Sequence, residues 1–240
     1  MARRFHNRAE AGRRLAANLT VYANRPDVLV LALPRGGVPV AFEVAQALHA
    51  PLDVVLVRKL GVPGCEELAM GALASGGVRV LNDAVVGGLR IPDDVIDRVA
   101  AAERRELERR ERAYRGDRPA PEVRDRMVIL VDDGLATGAT MRAAVVAVRQ
   151  QQPARIVVAV PTVALASCAA LRSAVDAIVW VIASEPFYSV GSWYDDFTPP
   201  TDAEIRALLA QSAPAPPPPA GGATYGDQED RRSLHSQTRP

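Results

Sequence analysis

Five short runs of aliphatic and β-branched residues occur along the chain, and each is apolar at consecutive rather than alternate positions. They span residues 27–33, 52–57, 127–131, 156–160 and 176–182. A continuous apolar run of this length is typical of a strand that is covered on both faces, as in a parallel sheet between layers of helices. The pattern therefore predicts five buried strands.

Segments with helical patterns lie between or beside these runs. They span residues 7–24, 39–49, 93–115, 139–152 and 164–174. Repeated alternation of strands and helices is the pattern of a doubly wound α/β fold. We therefore expect one α/β domain over residues 1–211, with a mainly parallel sheet and flanking helices.

Residues 212–240 differ in composition from the rest of the chain. This segment contains a proline run, a Gly-Gly pair and scattered polar residues. Such a composition buries too little apolar surface to offset the entropy lost when a chain becomes ordered. We predict a disordered tail, with a proline-rich docking segment as the alternative.

The charge balance argues against several classes of function. Lys and Arg number 29 and Asp and Glu 28, so the chain lacks the field that drives non-specific binding to nucleic acids or membranes. The uncharged, mainly apolar stretch 156–171 is too short to span a bilayer, and the N-terminus has no apolar signal region. The two cysteines, far apart, indicate neither a disulfide framework nor a metal cluster. We expect a cytoplasmic protein with no nucleic-acid or membrane partner.

The most informative segment is 127–141, which reads MVILVDDGLATGATM. An apolar strand there runs directly into two carboxylates, Asp132 and Asp133, at the edge of the sheet where open α/β proteins bind ligands. Carboxylates repel a phosphate, so we expect this pair to hold sugar hydroxyls or a Mg²⁺ ion instead.

The residues that follow the acidic pair are suited to a phosphate. Gly134 and Gly138 allow a tight turn close to a ligand, and Thr137 and Thr140 supply hydroxyl groups. The helix that begins near Ala139 offers backbone N–H groups to an anion. Neither GxxxxGK[ST] nor GxGxxG occurs in the chain. An ordinary strand–helix turn would not need two acids and two threonines together.

The sequence VDDGLATGAT resembles the ribose-phosphate loop of the type I phosphoribosyltransferases. The resemblance covers roughly residues 1–200 and implies a 5-phosphoribosyl 1-pyrophosphate donor, a nitrogenous acceptor and Mg²⁺ as cofactor. It implies that Asp132 and Asp133 hold the ribose 2′- and 3′-hydroxyls and act in catalysis and metal binding. Residues 134–140, Ala136 included, would bind the 5′-phosphate. Subunits commonly pair in this family, so a homodimer is one expected assembly.

A second glycine-containing loop is compatible with this donor. The first strand ends in Leu33-Pro34-Arg35-Gly36-Gly37, which is similar to the pyrophosphate loop of the family. Arg35 supplies a fixed charge, while Gly36 and Gly37 let backbone N–H groups approach an anion. A plain tight turn is the competing interpretation.

The second strand ends in two adjacent cations, Arg58 and Lys59, and Lys59 is the only lysine of the chain. A stretch rich in glycine and proline follows, with Glu66 and Glu67 near its middle. By the resemblance, this stretch is a flexible loop that closes over the substrate, and Lys59 stabilises the leaving pyrophosphate. A surface hairpin is the alternative.

Aromatic residues are concentrated in residues 184–200, which we call the hood segment. Tyr188, Gly191 and Asp195 match the spacing of the 6-oxopurine branch of the family. The match implies that Tyr188 stacks on the acceptor and that Asp195 lies near a metal, and Trp193 is a second candidate for stacking. A packed aromatic cluster is the alternative.

One position departs from the 6-oxopurine branch. Enzymes of that branch carry an Asp just before the Thr-Gly pair, where it is implicated in proton transfer, whereas this chain has Ala136, as in the adenine branch. Glu66 or Glu67 could carry the proton instead; the alternatives are an acceptor that is already anionic and a protein that is not a purine enzyme. The sequence therefore does not identify the acceptor.

Two other functions compete with a transferase. One is a non-catalytic protein of the same fold that senses the donor or a nucleotide. The other is a phosphatase or hydrolase, which is disfavoured because GxSxG is missing. The three histidines, His6, His49 and His235, are all predicted to lie outside the crevice.

Overall fold

The computed structural model describes residues 4–116 and 118–212. The strands are β1 (Val28–Ala32), β2 (Leu52–Val54), β3 (Val57–Val62), β4 (Cys65–Ala74), β5 (Val78–Leu81), β6 (Met127–Val131), β7 (Arg155–Ala164) and β8 (Ala177–Ser184). The α-helices are α1 (Arg8–Ala17), α2 (Gly37–Leu48), α3 (Asp83–Leu89), α4 (Asp93–Arg115), α5 (Ala139–Gln150), α6 (Leu165–Leu171) and α7 (Asp202–Gln211).

Five strands form a parallel sheet in the order β2-β1-β6-β7-β8. Every residue of β1 and β6 is buried, because alternate side chains enter cores on opposite faces of the sheet. Helices α1 and α2 contribute to one core, and α5 and α6 contribute to the other. The predicted doubly wound α/β fold is confirmed.

The predicted single strand over 52–57 is wrong, because the run divides between two sheets. Its second half opens an antiparallel sheet of order β3-β4-β5. The N–H of Val55 donates to the carbonyl of Ala32 (2.9 Å), which completes the pairing with β1. The N–H of Leu56 then donates to Oγ of Ser75 (2.9 Å), in the turn of the second sheet. The apolar pattern does not reveal that the chain passes from one sheet to the other, because residues in both halves of the run pack against a hydrophobic core.

Helix α4 has the predicted bounds, whereas the N-terminal helix is shorter than predicted. Helix α1 ends at Ala17 rather than at residue 24. The side-chain amide of Asn18 donates to the carbonyl of Trp180 (3.0 Å), and a 3₁₀ turn follows at Thr20–Tyr22. Of the predicted tail, all but Ser212 lies outside the described residues. Among the described helices, none combines the length and apolar character needed to cross a membrane.

A buried ion pair joins the end of α4 to the parallel sheet. Nε of Arg115 lies 3.1 Å from Oδ1 of Asp53, and the two side chains are 7% and 11% exposed. Loss of one partner leaves a buried charge without its counter-ion, at a cost of about 3–5 kcal/mol. We therefore expect Asp53→Ala to lower the free energy of unfolding, measured by chemical denaturation, by about 3–5 kcal/mol.

Asp94→Ala is the matched control for this substitution. Asp94 pairs with Arg98, but the Arg98 and Asp94 side chains are 73% and 71% exposed. Exposed pairs contribute about 0–1 kcal/mol, so this variant should lose much less stability than Asp53→Ala. Equal losses in the two variants would contradict a special contribution from the buried pair.

Candidate active site

The loops that follow β1 and β6 touch each other at the carboxyl end of the parallel sheet. A Cβ atom at Gly36 would overlap the carboxylate of Asp133. A Cβ atom at Gly37 would lie 2.7 Å from the carbonyl oxygen of Val131. Both positions therefore need glycine because the two loops pack so closely. Arg35 is exposed at the same turn, and the peptide bond that precedes it is cis.

Two carbonyl groups of the loop between β6 and α5 are held by hydrogen bonds from side chains of α5 and α6. Oγ of Ser167 donates to the carbonyl of Ala136, and Nη1 of Arg142 donates to the carbonyl of Thr137 (2.8 Å). A trans peptide points its N–H opposite to its C=O, so the N–H groups of Thr137 and Gly138 face the other way. Gly138 has a φ of 72°, a conformation that favours glycine.

The start of α5 extends this row of N–H groups. The N–H of Arg142 donates to the carbonyl of Gly138 (2.8 Å), which begins the intrahelical hydrogen bonds. The N–H groups of Ala139 and Thr140 precede that bond and have no partner within the helix. The helix dipole adds partial positive charge at the same place. The loop thus has the geometry of a phosphate site.

The two acids of the predicted ribose site lie side by side and are largely, though not fully, buried. Oδ1 of Asp132 accepts a hydrogen bond from the N–H of Asp133 (2.9 Å). Burial raises the pKa of Asp132 well above its usual range, and the Asp133 charge raises it further. Burial also raises the pKa of Asp133, although Arg8 opposes this shift. Such a pair favours a ligand that brings hydroxyl donors or positive charge.

Arg8, whose side chain contacts Asp133, is a candidate site residue that the sequence did not reveal. Its Nε and Nη2 each lie 2.8 Å from Oδ2 of Asp133. Its Nη1 donates to the carbonyl of Thr198 (2.9 Å), and its side chain is 9% exposed. Arg8 is the first residue of α1, where the helix dipole disfavours a cation. A cation at this unfavourable position was the only feature of the sequence that could have marked Arg8 as a functional residue.

The hood segment is a packed cluster centred on Tyr194. The hydroxyl of Tyr194 donates to the backbone carbonyl of Asp133 (2.6 Å). The Tyr194 ring centroid lies 5.4 Å from that of Phe5 and 5.1 Å from that of Phe197. This part of the hood therefore packs against the N-terminal segment and the acidic loop, as the structural alternative predicted.

The two predicted stacking residues lie outside the centre of this cluster. Tyr188 is 88% exposed, so its ring is accessible to a ligand. The Trp193 ring lies 6.5 Å from that of Phe187, and its Nε1 is buried without a hydrogen-bond partner. A Cβ atom at Gly134 would overlap Val190. The hood therefore also rests on residues 134–140, the segment predicted to bind phosphate, which we call the phosphate loop.

The segment predicted to be a flexible loop forms the antiparallel hairpin β3–β4, which was the alternative left open. Nζ of Lys59 lies 3.5 Å from Oε2 of Glu67, and Nε of Arg58 lies 2.6 Å from Oε2 of Glu103. Glu66 and Glu67 are exposed near the tip of the hairpin. The glycines and proline of this stretch suggested a loop, but they accompany a bulged strand pairing.

The predicted catalytic residues of the hairpin are divided between two cavities. Lys59 lines a cavity of about 340 Å³ together with Ala139 and Thr140 of the phosphate loop. Arg58 and Glu66 line another cavity of about 440 Å³, to which Lys59 also contributes. Lys59 is therefore the member of this group that faces the start of α5.

The predicted metal set of Asp132, Asp133 and Asp195 is not assembled. Within residues 4–116 and 118–212, no three His, Cys, Asp or Glu side chains form a group that could hold an ion. Asp195 is exposed, and its N–H donates to the carbonyl of Phe5 (2.9 Å) as part of the pairing between hood and N-terminus. A Mg²⁺ ion beside the acidic pair would need substrate oxygens and water as its remaining ligands.

Fold and site together define an α/β protein in which two neighbouring loops meet at the carboxyl edge of a parallel sheet. The chain belongs to the phosphoribosyl transferase domain family, whose model matches residues 3–195. It is 44% identical over 205 residues to a Mycobacterium tuberculosis protein named "Putative phosphoribosyl transferase Rv0571c". This match covers 85% of the chain and 46% of that protein, so the chain spans about half the length of the curated relatives.

A solved structure matches the whole domain. The chain is similar to the protein TT1426 from Thermus thermophilus, with 42% identity and a TM-score of 0.78. The match covers 88% of this chain and 100% of that chain. The family predicted from the VDDGLATGAT motif is thereby confirmed.

The raised pKa of Asp132 makes the stability of the protein depend on pH. A buried carboxyl of this kind favours folding when protonated, so its contribution is present below its unfolded pKa of about 4 and is lost as the pH rises through the folded pKa. At about pH 4 we expect Asp132→Asn and the wild type to unfold at nearly the same temperature. As the pH rises towards about 8, the unfolding temperature of Asp132→Asn should exceed that of the wild type by an increasing margin. Thermal unfolding across this range measures the difference.

Two variants control for this pH effect. Asp94→Asn, on the exposed surface of α4, should show no such trend. Asp133→Asn should be stabilised less than Asp132→Asn, because it leaves the buried guanidinium of Arg8 without its carboxylate. A constant temperature difference between Asp132→Asn and wild type across the pH range would contradict the prediction.

Proposed function

We propose that this domain transfers the 5-phosphoribosyl group of 5-phosphoribosyl 1-pyrophosphate to a nitrogenous acceptor and releases pyrophosphate. The contact between Gly36 and the Asp133 carboxylate carries the proposal, because it places a glycine loop beside an acidic pair and a phosphate loop. Two anion-binding loops with acids between them suit a ligand that has phosphate at one end, hydroxyls in the middle and pyrophosphate at the other end.

Each part of the site has a separate task in this reaction. The N–H groups of residues 137–140 bind the 5′-phosphate, and Asp132 and Asp133 accept hydrogen bonds from the ribose hydroxyls. Arg35 and the N–H of Gly36 bind the pyrophosphate, whereas the N–H of Gly37, which was also predicted to do so, already donates to the carbonyl of Leu33 (3.0 Å). As the bond from the anomeric carbon to pyrophosphate breaks, the ribose gains oxocarbenium character, and the nearby carboxylate charge stabilises it.

Cations complete the proposed site. Mg²⁺ bound with the pyrophosphate would neutralise charge on the leaving group, with Asp132 or Asp133 as its protein ligand. Lys59 supplies a positive charge from the hairpin. Its pairing with Glu67 is weak, because the Lys59 and Glu67 side chains are 47% and 100% exposed. Lys59 can therefore exchange this partner for a substrate phosphate at little cost.

A non-catalytic sensor of the donor or of a nucleotide is the second candidate function. It is favoured by Ala136, whose side chain cannot transfer a proton to an acceptor and whose carbonyl is held by Ser167. Glu66 and Glu67, the other proton carriers that we considered, lie on the exposed hairpin. A sensor would need the donor-binding groups but none of these carboxylates.

Pyrophosphate release distinguishes the two functions. The protein is given 5-phosphoribosyl 1-pyrophosphate, Mg²⁺ and a panel of purine, pyrimidine and pyridine acceptors, and donor binding is followed by calorimetry. We expect release with at least one acceptor, and loss of release in the variant that combines Asp132→Asn with Asp133→Asn. Donor binding without release would select the sensor, and a lack of donor binding would contradict both the transferase and a sensor of the donor.

Lys59→Ala tests the contribution of the hairpin. We expect kcat/KM to fall by about 100-fold, as when one charge-stabilising donor is removed from an active site, with an unchanged unfolding temperature because Lys59 is half exposed. Lys59→Arg should retain part of the rate. Arg79→Ala, which removes another exposed cation from the same sheet, is the matched control and should have wild-type rates. Wild-type turnover in Lys59→Ala would remove Lys59 from the mechanism.

A further inference from the structure

The guanidinium of Arg8 touches two parts of the site at once. One edge bonds to the Asp133 carboxylate, while Nη1 bonds to the backbone of Thr198 in the hood segment. Its Cζ also lies 3.9 Å from the ring centroid of Phe197 and 5.9 Å from that of Tyr194. These contacts join the predicted ribose site to the hood through a single side chain.

The backbone around Arg8 is fixed to the hood as well. Phe5 and Tyr194 form a β-bridge, and the N–H of Asp196 donates to the carbonyl of His6 (2.9 Å). The side chain of Asn7 caps α1 by accepting from the N–H of Glu10 (3.0 Å). Arg8 therefore leaves a well-anchored helix start, and its long side chain reaches Asp133 from a defined position.

We propose that Arg8 is a positioning residue that sets the Asp133 carboxylate for the donor and, with the same guanidinium, seats residues 194–198 of the hood over the donor site. The proposal rests on the proposed function, in which Asp133 binds the ribose. It extends that function, because one group then serves both the donor site and the segment expected to hold the acceptor.

Arginine is suited to this task in a way that lysine is not. Its planar guanidinium carries five N–H donors in a fixed fork, so it can bond to a carboxylate and to a carbonyl on different edges and still stack on a ring. A lysine ammonium supplies the charge but not the fork. Arg8→Lys therefore separates the bridging contacts from the charge.

Arg115 offers a matched control. It is buried to the same degree as Arg8, at 7% exposure against 9%, and it also bonds to a carboxylate, Asp53, and to a backbone carbonyl, that of Val54. This pair joins α4 to β2 and has no contact with the hood among those found in the described residues. Arg115→Lys thus removes a comparable set of buried bonds outside the site.

The experiment compares Arg8→Lys, Arg115→Lys, Asp133→Asn and the double variant Arg8→Lys/Asp133→Asn. Calorimetry measures the affinity for 5-phosphoribosyl 1-pyrophosphate, and hydrogen exchange without ligand measures the protection of residues 194–198. We expect Arg8→Lys to weaken donor binding by about tenfold or more and to speed exchange in the hood. Arg115→Lys should lower the unfolding temperature and leave affinity and hood exchange unchanged.

The double variant tests whether Arg8 acts through Asp133. We expect it to bind the donor no more than about twofold more weakly than Asp133→Asn alone, because the two changes interrupt the same contact. Additive losses, wild-type donor affinity in Arg8→Lys, or wild-type hood exchange in Arg8→Lys would each overturn the proposal.

Two further results remain decisive. If the wild-type protein does not bind the donor, the proposed function fails, whereas the exchange comparison still decides whether Arg8 seats the hood. If Arg8→Lys does not fold, Phe197→Leu replaces it, since this change removes the ring beneath the guanidinium and leaves the charge in place. Because Phe197 also packs on Tyr194, faster hood exchange in Phe197→Leu supports the proposal when donor affinity falls with it, and unchanged exchange or wild-type donor affinity overturns it.

Discussion

Two adjacent carboxylates buried at the end of the central strand β6 are the constraint on which the rest of this site depends. Burial disfavours their charged forms, and each raises the cost of ionising the other. The fold offsets part of this cost with Arg8 and with the N–H of Asp133. The part of this cost that is not offset makes the binding of a ligand with hydroxyl groups or positive charge favourable. A destabilising cluster of this kind is characteristic of a functional site.

The topology of the sheet determines what surrounds this pair. From β1 the chain passes to β2 on one side, and it later returns to place β6 on the other side of β1. Helix α2 follows β1 into one core and α5 follows β6 into the other, so the two helices lie on opposite faces of the sheet, while the loops that lead to them meet where β1 and β6 end side by side. The close approach of Gly36 to Asp133 is a direct result of this arrangement.

The sequence predicted the parts of this structure that are encoded locally. The apolar runs and the VDDGLATGAT motif are contiguous, so the central strands and the phosphate loop could be inferred without knowledge of the fold. The role of Arg8 could not be inferred from the sequence, because its partner Asp133 is 125 residues away along the chain. The division of residues 52–57 between two sheets was hidden for a related reason, since burial alone does not tell which sheet buries a residue.

In the hood, the spacing of residues in the sequence did not show which aromatic residue holds the segment in place and which is free to bind a ligand. The motif match pointed to Tyr188, which is exposed, whereas the cluster is organised by Tyr194, whose hydroxyl bonds to the Asp133 carbonyl. Arg8 adds a second connection from the same aspartate to the hood. A displacement of Asp133 therefore acts on the hood through both its backbone and its side chain. In the proposed function, these two connections through Asp133 would link donor binding to the hood.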